Sequence, residues 1–198
     1  YLKDFVMIDA LSDYEFYKTG AVEKPVISNN HIHTFIDNGV KNLWSYYCTS
    51  QYYKVSNRFM SMPSARNRIY GAQLYKYDIE GALHWGYNFY NSQYSLKHIK
   101  PYVVTDAGGA FPSGDPFLVY PKDDGTPEES IRMMVHYHAM TDLRAMHLLE
   151  SLTSKEYVME LIEGDLAEPI TFENYPKSDM YLINLRNRIN REIANRIK

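Results

Sequence analysis

Four short apolar runs, separated by segments of helical character, constrain this 198-residue chain more than any other feature. "FVMIDAL" (5–11), "PVIS" (25–28), "VKNLWSYY" (40–47) and "ALHWGYNFY" (82–90) are strand-length and rich in β-branched and aromatic residues. The text between them reads as helix. Ser12, with Glu15 three residues on, predicts a capping box for a short helix ended by Gly20. Asn29 or Asn30 is expected to cap a helical turn stopped by Gly39. "MPSARNRIYGAQLYKYDIEG" predicts one longer helix with Pro63 in its first turn and Gly81 as its left-handed stop. Strand alternating with helix favours a parallel α/β fold. A closed eight-fold barrel takes about 250 residues, so four strand–helix units supply roughly half of one, or a small open sheet.

From Asn91 to Pro127 the chain is rich in Gly, Pro and Asp, with a strand-like island at Phe117–Tyr120. Such an insertion is expected to be functional or mobile. A long helix begun by Thr126 and Pro127 follows, its apolar face running through Ile131, Met134, Val135, His138, Ala145, Leu149 and Leu152. A helix-like "SKEYVMELIEG" comes next. The closing segment carries Tyr181, Leu185, Ile189, Ile193 and Ile197 at intervals of four, an amphipathic helix whose arginines read as a solvated face.

Composition narrows the partners. With 21 basic and 24 acidic side chains, no global field draws the chain to nucleic acid or anionic lipid. The single Cys48 excludes an internal disulfide and a cysteine-built zinc cage, and suits a reducing, cytoplasmic setting. No apolar run approaches membrane-helix length. The sequence starts inside an apolar run without Met, which is expected of a chain cut from something longer. Nineteen tyrosines provide flat amphipathic surface, suited to a large core with polar rims or to a sugar-binding cleft.

In a parallel sheet, binding residues collect at the carboxyl ends of the strands. Trp44, Tyr46 and Tyr47 are read as ending one strand, and His84, Trp85, Tyr87, Asn88 and Tyr90 as lying in or at the end of the next. Two tryptophans there are placed to stack on the apolar face of a sugar, with Asn88 bonding its hydroxyls; core packing is the competing reading. Asp115, ahead of an apolar strand, is either a turn acid or an acceptor for sugar hydroxyls. Arg58 is expected to pair with a carboxylate and brace a loop. The pairs His31/His33 and His136/His138 have poor spacing for a metal, so neither metal nor cofactor is expected. Glycoside hydrolysis needs two carboxyl groups, or one acid plus a second that orients a substrate acetamido group. Asp9 and Asp115 are the acids that can be placed near the presumed face, and nothing in the sequence pairs them.

The blocks "SNRFMSMPSARNRIYGAQLYKYDIEGALHWGYNFYN", "GDPFLVYP" and "TPEESIRMMV" resemble the C-terminal part of glycoside hydrolase family 123, over about Phe5 to Leu152. The resemblance implies a retaining, substrate-assisted β-N-acetylgalactosaminidase on a (β/α)8 TIM barrel preceded by β-sandwich modules. It implies that residues 1–152 are the C-terminal half of that barrel and 153–198 are closing helices packed on it. In the family an adjacent Asp-Glu pair, stabiliser and general acid/base, precedes the matched region. This sequence contains no Asp-Glu dipeptide, so no catalytic residue is expected here. The family's pattern carries over onto Trp44, Tyr46, Trp85, Tyr87, Asn88 and Asp115 as a sugar-pocket wall, with His84 beside them. The expected partners are a carbohydrate bearing N-acetylhexosamine, and either a second copy or the missing N-terminal half. The alternative is a non-catalytic carbohydrate-binding or interaction module.

Overall fold

The computed structural model describes residues 4–197. Its centre is a parallel sheet of β1 (Ile8–Leu11), β2 (Lys24–Ser28), β3 (Trp44–Tyr46) and β4 (Gly81–Leu83), paired in chain order. The crossovers carry α1 (Tyr14–Lys18), α2 (Ile32–Asp37), α3 (Ser64–Arg68) and α4 (Tyr70–Lys76). A hairpin of β5 (Val119–Pro121) and β6 (Pro127–Glu129) leads into α5 (Ile131–Leu152), α6 (Lys155–Glu163) and α7 (Asp179–Arg196). The parallel α/β expectation therefore holds. No described helix is long and apolar enough to cross a membrane.

Several local expectations are corrected. Asp13, not Ser12, caps α1 by accepting from the Glu15 amide, because the Ser12 hydroxyl is engaged with Ser28. Neither Asn29 nor Asn30 caps α2; His31 holds that position, and Asn29 is buried and donates to the Ser56 carbonyl. The helix expected after Pro63 is two, tightened at Ile69, whose carbonyl accepts from Ala72 three residues on in the 3₁₀ manner. Its left-handed stop is Asp78 (φ 52°), while Gly81 opens β4 because a Cβ there would overlap the Trp44 ring. Thr126 and Pro127 do not begin α5: Pro127 opens β6, and Ser130 caps the helix by accepting from Met133. Its inner face is Ala139, Asp142, Ala145, Met146 and Leu149, whereas Ile131 is 78% exposed and Met134 is also exposed.

Two apolar clusters meet on one side of the sheet. Leu11 and Ile27 pack with Phe35 of α2 and with Tyr70 and Leu74 of α4. A second cluster joins Ile69 and Tyr75 to Met146, Leu149, Val158, Ile162, Leu185 and Ile189 from α5, α6 and α7. Each such side chain stabilises by roughly 1.5–3 kcal/mol when fully buried. The sheet's other face keeps Ile8 and Leu83 exposed. Asp142 ties three helices together, accepting from Arg68 of α3 (2.7 and 3.1 Å) and Arg186 of α7 (2.9 Å). Arg186 is thus an ion-pair residue, not part of a purely solvated stripe; Arg188 likewise pairs with Asp165.

Helices α4 and α5 approach closely because Gly71 faces Ala139. A Cβ at Gly71 would overlap the Ala139 carbonyl, so the helices have to separate to admit one. Gly71→Ala is expected to lower stability by about 1–3 kcal/mol through overpacking, read as a lower urea midpoint with an unchanged slope.

Candidate functional site

β4 lasts three residues, and the chain then turns out at His84. Residues 86–89 run antiparallel to 116–118: Phe89 donates to the Pro116 carbonyl (3.1 Å), Leu118 to the Tyr87 carbonyl (2.8 Å), and Asn88 bridges Phe117. This return places Asp115 beneath Trp85, thirty residues away in sequence. Two devices hold the returning loop. Gly114 takes a left-handed conformation (φ 88°), and Arg132 of α5 donates to the Gly114 and Phe117 carbonyls. Gly86 is required because a Cβ would overlap the Asp115 carbonyl.

Asp115 is 0% exposed, which corrects its reading as an acceptor for sugar hydroxyls: its carboxylate is committed inside the protein. One oxygen accepts from the Trp85 indole N–H at 2.9 Å. The other lies 3.3 Å from His84 Nε2. His84 Nδ1 receives both the Arg58 guanidinium (2.7 Å) and the Gly86 amide (2.9 Å). Two donors on Nδ1 require that nitrogen to be the acceptor, so the single ring proton sits on Nε2, facing Asp115. A second proton has nowhere to go. Burial accordingly lowers the His84 pKa, against the opposing pull of Asp115.

Arg58 also donates to the Gly86 carbonyl. The expected direct carboxylate partner is replaced by an imidazole and a carbonyl, with Asp115 one residue further on, on the far side of His84. Burial lowers Arg58 to about 10. Tyr47 packs edge-on against His84 at 5.4 Å and is pushed up to about 12 by burial. His136 of α5 is lowered to about 4, first by burial and then by Arg58 and His84. The cluster thus holds two guanidiniums, one carboxylate and two neutral imidazoles.

Above it, Trp85 is 41% exposed and backed edge-on by Phe89 (5.3 Å) and Phe111 (5.1 Å). Tyr87 and Asn88 are exposed beside it in sequence. The structure therefore brings His84, Trp85 and Asp115 together beyond the end of β4, with Tyr87 and Asn88 exposed on the segment that follows. Tyr46 ends β3, but Trp44 opens it, a correction: its ring lies over Gly81 and under Lys24 (5.2 Å), at the amino end of the strands. Sequence reasoning missed Gly86 and Arg132 as parts of the cluster, placed Tyr47 only as a strand-end aromatic, and set His136 aside as a poor metal ligand. Their common signal is a loop return that no local pattern announces.

The chain is a parallel α/β protein with a rigid aromatic plate over a buried polar cluster beyond the carboxyl end of one strand, the end where parallel α/β folds commonly place their ligands. The glycoside hydrolase 123 catalytic domain matches residues 1–149, and the chain belongs to that family. No curated protein matches it.

The fold favours neutral His136, whereas the unfolded chain protonates it near 6.5. Between those pKa values the unfolded state binds more protons, so stability present above pH 6.5 is lost as pH falls towards 4, by about 3 kcal/mol in all. Urea titrations across this range are expected to show a shallower acid slope for His136→Gln than for wild type.

Proposed function

We propose that the chain forms the aromatic wall of the sugar subsite in a retaining, substrate-assisted glycoside hydrolase acting on β-linked N-acetylgalactosamine. Family membership supports the reaction class. The observation that carries the site is the exposed indole of Trp85, fixed at its N–H by buried Asp115 and at its edges by Phe89 and Phe111. A rigid aromatic plate beside amide and hydroxyl groups suits a pyranose, whose axial C–H bonds stack while its hydroxyls are bonded. Neither His84 nor Asp115 is free to move a proton to a substrate. In this reading the Asp-Glu pair of the family lies outside this sequence, and the chain supplies grip and orientation.

In the same reading the sheet is about half of a (β/α)8 barrel, with 153–198 as closing helices. The exposed Ile8 and Leu83 on the outer strands, and the outer edges of β1 and β4, which pair with no strand among the described residues, support it. Sedimentation is expected to show this chain self-associating, or pairing when the preceding half is added; a dilution-stable monomer would count against the half-barrel.

The function is tested with nitrophenyl β-N-acetylgalactosaminide. Turnover is expected from a protein carrying the family's Asp-Glu pair and not from residues 1–198 alone. Trp85→Ala is expected to weaken N-acetylgalactosamine binding about five-fold, since losing an aromatic plate removes on the order of 1 kcal/mol. Turnover by the chain alone would overturn the assignment of the acids.

A further inference from the structure

A second feature shares no residue with the Trp85 cluster and includes the loop after β3. A groove of about 780 Å³ is lined by Tyr53, Lys54, Arg66, Glu173 and Lys177, among others. A neighbouring hollow of about 490 Å³ shares Tyr53, Lys54 and Glu173, so the two form one furrow. Three of these side chains are cations, and none has a carboxylate partner among the described ion pairs.

Arg66 and Lys177 are also held together, through Tyr175 and the main chain of Lys54. Arg66 Nε donates to the Tyr175 hydroxyl at 3.2 Å, and that hydroxyl donates to the Lys54 carbonyl at 2.8 Å. Lys177 Nζ sits 3.2 Å above the centroid of the same Tyr175 ring, and 3.4 Å from the Lys54 carbonyl. Arg66 is fixed from behind by the Tyr53 and Val55 carbonyls at 2.8 and 2.7 Å. Two like charges are thereby anchored around one tyrosine, held by carbonyl dipoles and the Tyr175 ring and hydroxyl, with no carboxylate ion pair to either among the described residues. Lys177 registers the strain: its pKa falls to about 8, through burial and then through Arg66. Such a pair is stabilised by any anion that enters the groove.

The rest of the furrow favours a sugar over a bare ion. Tyr53 is 78% exposed, and its ring lies 4.3 Å from that of Tyr52, giving an aromatic plate at the cations' edge. Glu173 is exposed in the lining, an acceptor for hydroxyls and a repellent for a densely charged polyanion. The net charge of −3 weighs the same way against nucleic acid.

We propose that this furrow binds an acidic sugar unit, with Lys54, Arg66 and Lys177 around its sulfate or carboxylate and Tyr53 against its ring. The sugar half of this proposal rests on the glycoside reading above; the anion half does not.

Calorimetry on the whole chain tests it with three probes: a sulfated hexosamine–uronate tetrasaccharide, its desulfated and carboxyl-reduced counterpart, and inorganic sulfate. The sulfated tetrasaccharide is expected to bind at least about ten-fold tighter than the neutral one, a preference lost in a Lys54→Gln/Lys177→Gln variant. Tyr53→Ala is expected to weaken the tetrasaccharides and leave inorganic sulfate unchanged. Equal binding of charged and neutral probes, or a preference that survives the double variant, would overturn the proposal. Inorganic sulfate matching the sulfated tetrasaccharide would overturn its sugar half. Trp85→Ala separates the two sites: it is expected to leave the charge preference intact, so loss of sugar binding at Trp85 and loss of anion selectivity here are read independently.

Discussion

The contact on which the candidate site depends is the buried carboxylate of Asp115 against the indole N–H of Trp85. An isolated buried anion costs several kcal/mol, and removing one partner of a buried pair costs more than the pair contributes. Beyond the indole, the second oxygen of Asp115 has no hydrogen bond and lies 3.3 Å from His84 Nε2, on a ring oriented by Arg58 and the Gly86 amide at its other nitrogen. Each group fixes the next. The indole is therefore set in place by a chain running back to the loop after β3, not by its own short strand.

Charge explains why this chain of contacts stays rigid. Two guanidiniums face one carboxylate, so a further proton on either imidazole would add to an existing positive excess in a site with little water. Burial and neighbouring cations act together on His136, and burial outweighs Asp115 on His84. Both rings remain neutral, and the hydrogen-bond directions remain single-valued. A plate that positions a ligand gains from this, since a flipping tautomer would move the indole with it.

Much of the sheet was legible in the sequence because each strand carries its own signal: a short apolar run bounded by turn chemistry. "PVIS" falls inside β2, whereas the runs at 40–47 and 82–90 yield strands of only three residues, Trp44–Tyr46 and Gly81–Leu83. What was not legible is whatever depends on distant backbone. Trp44 looks identical to Trp85 as a strand tryptophan, yet opens its strand, because register pairs it with Val26 on one side and Gly81 on the other. Asp115 resembles a turn acid and is one, its amide bonded to Pro112, but the turn is folded under a tryptophan. Pro127 resembles a helix start, and the hairpin claims it first.

The distribution of burial limits how chemistry can reach a sugar lying on Trp85. The helix side of the sheet is filled by Ile27, Phe35, Tyr70 and Leu74, with α5 and α7 behind them. Nothing reactive can approach from there without dismantling the core. The carboxyl ends of the strands and the helix-free face, where Ile8 and Leu83 are bare, are what remains open. Under the proposed function, a catalytic acid acting at this plate comes across that side. In the proposed reading one surface thus does both jobs: the segment that completes the sheet also brings the proton donor to the sugar.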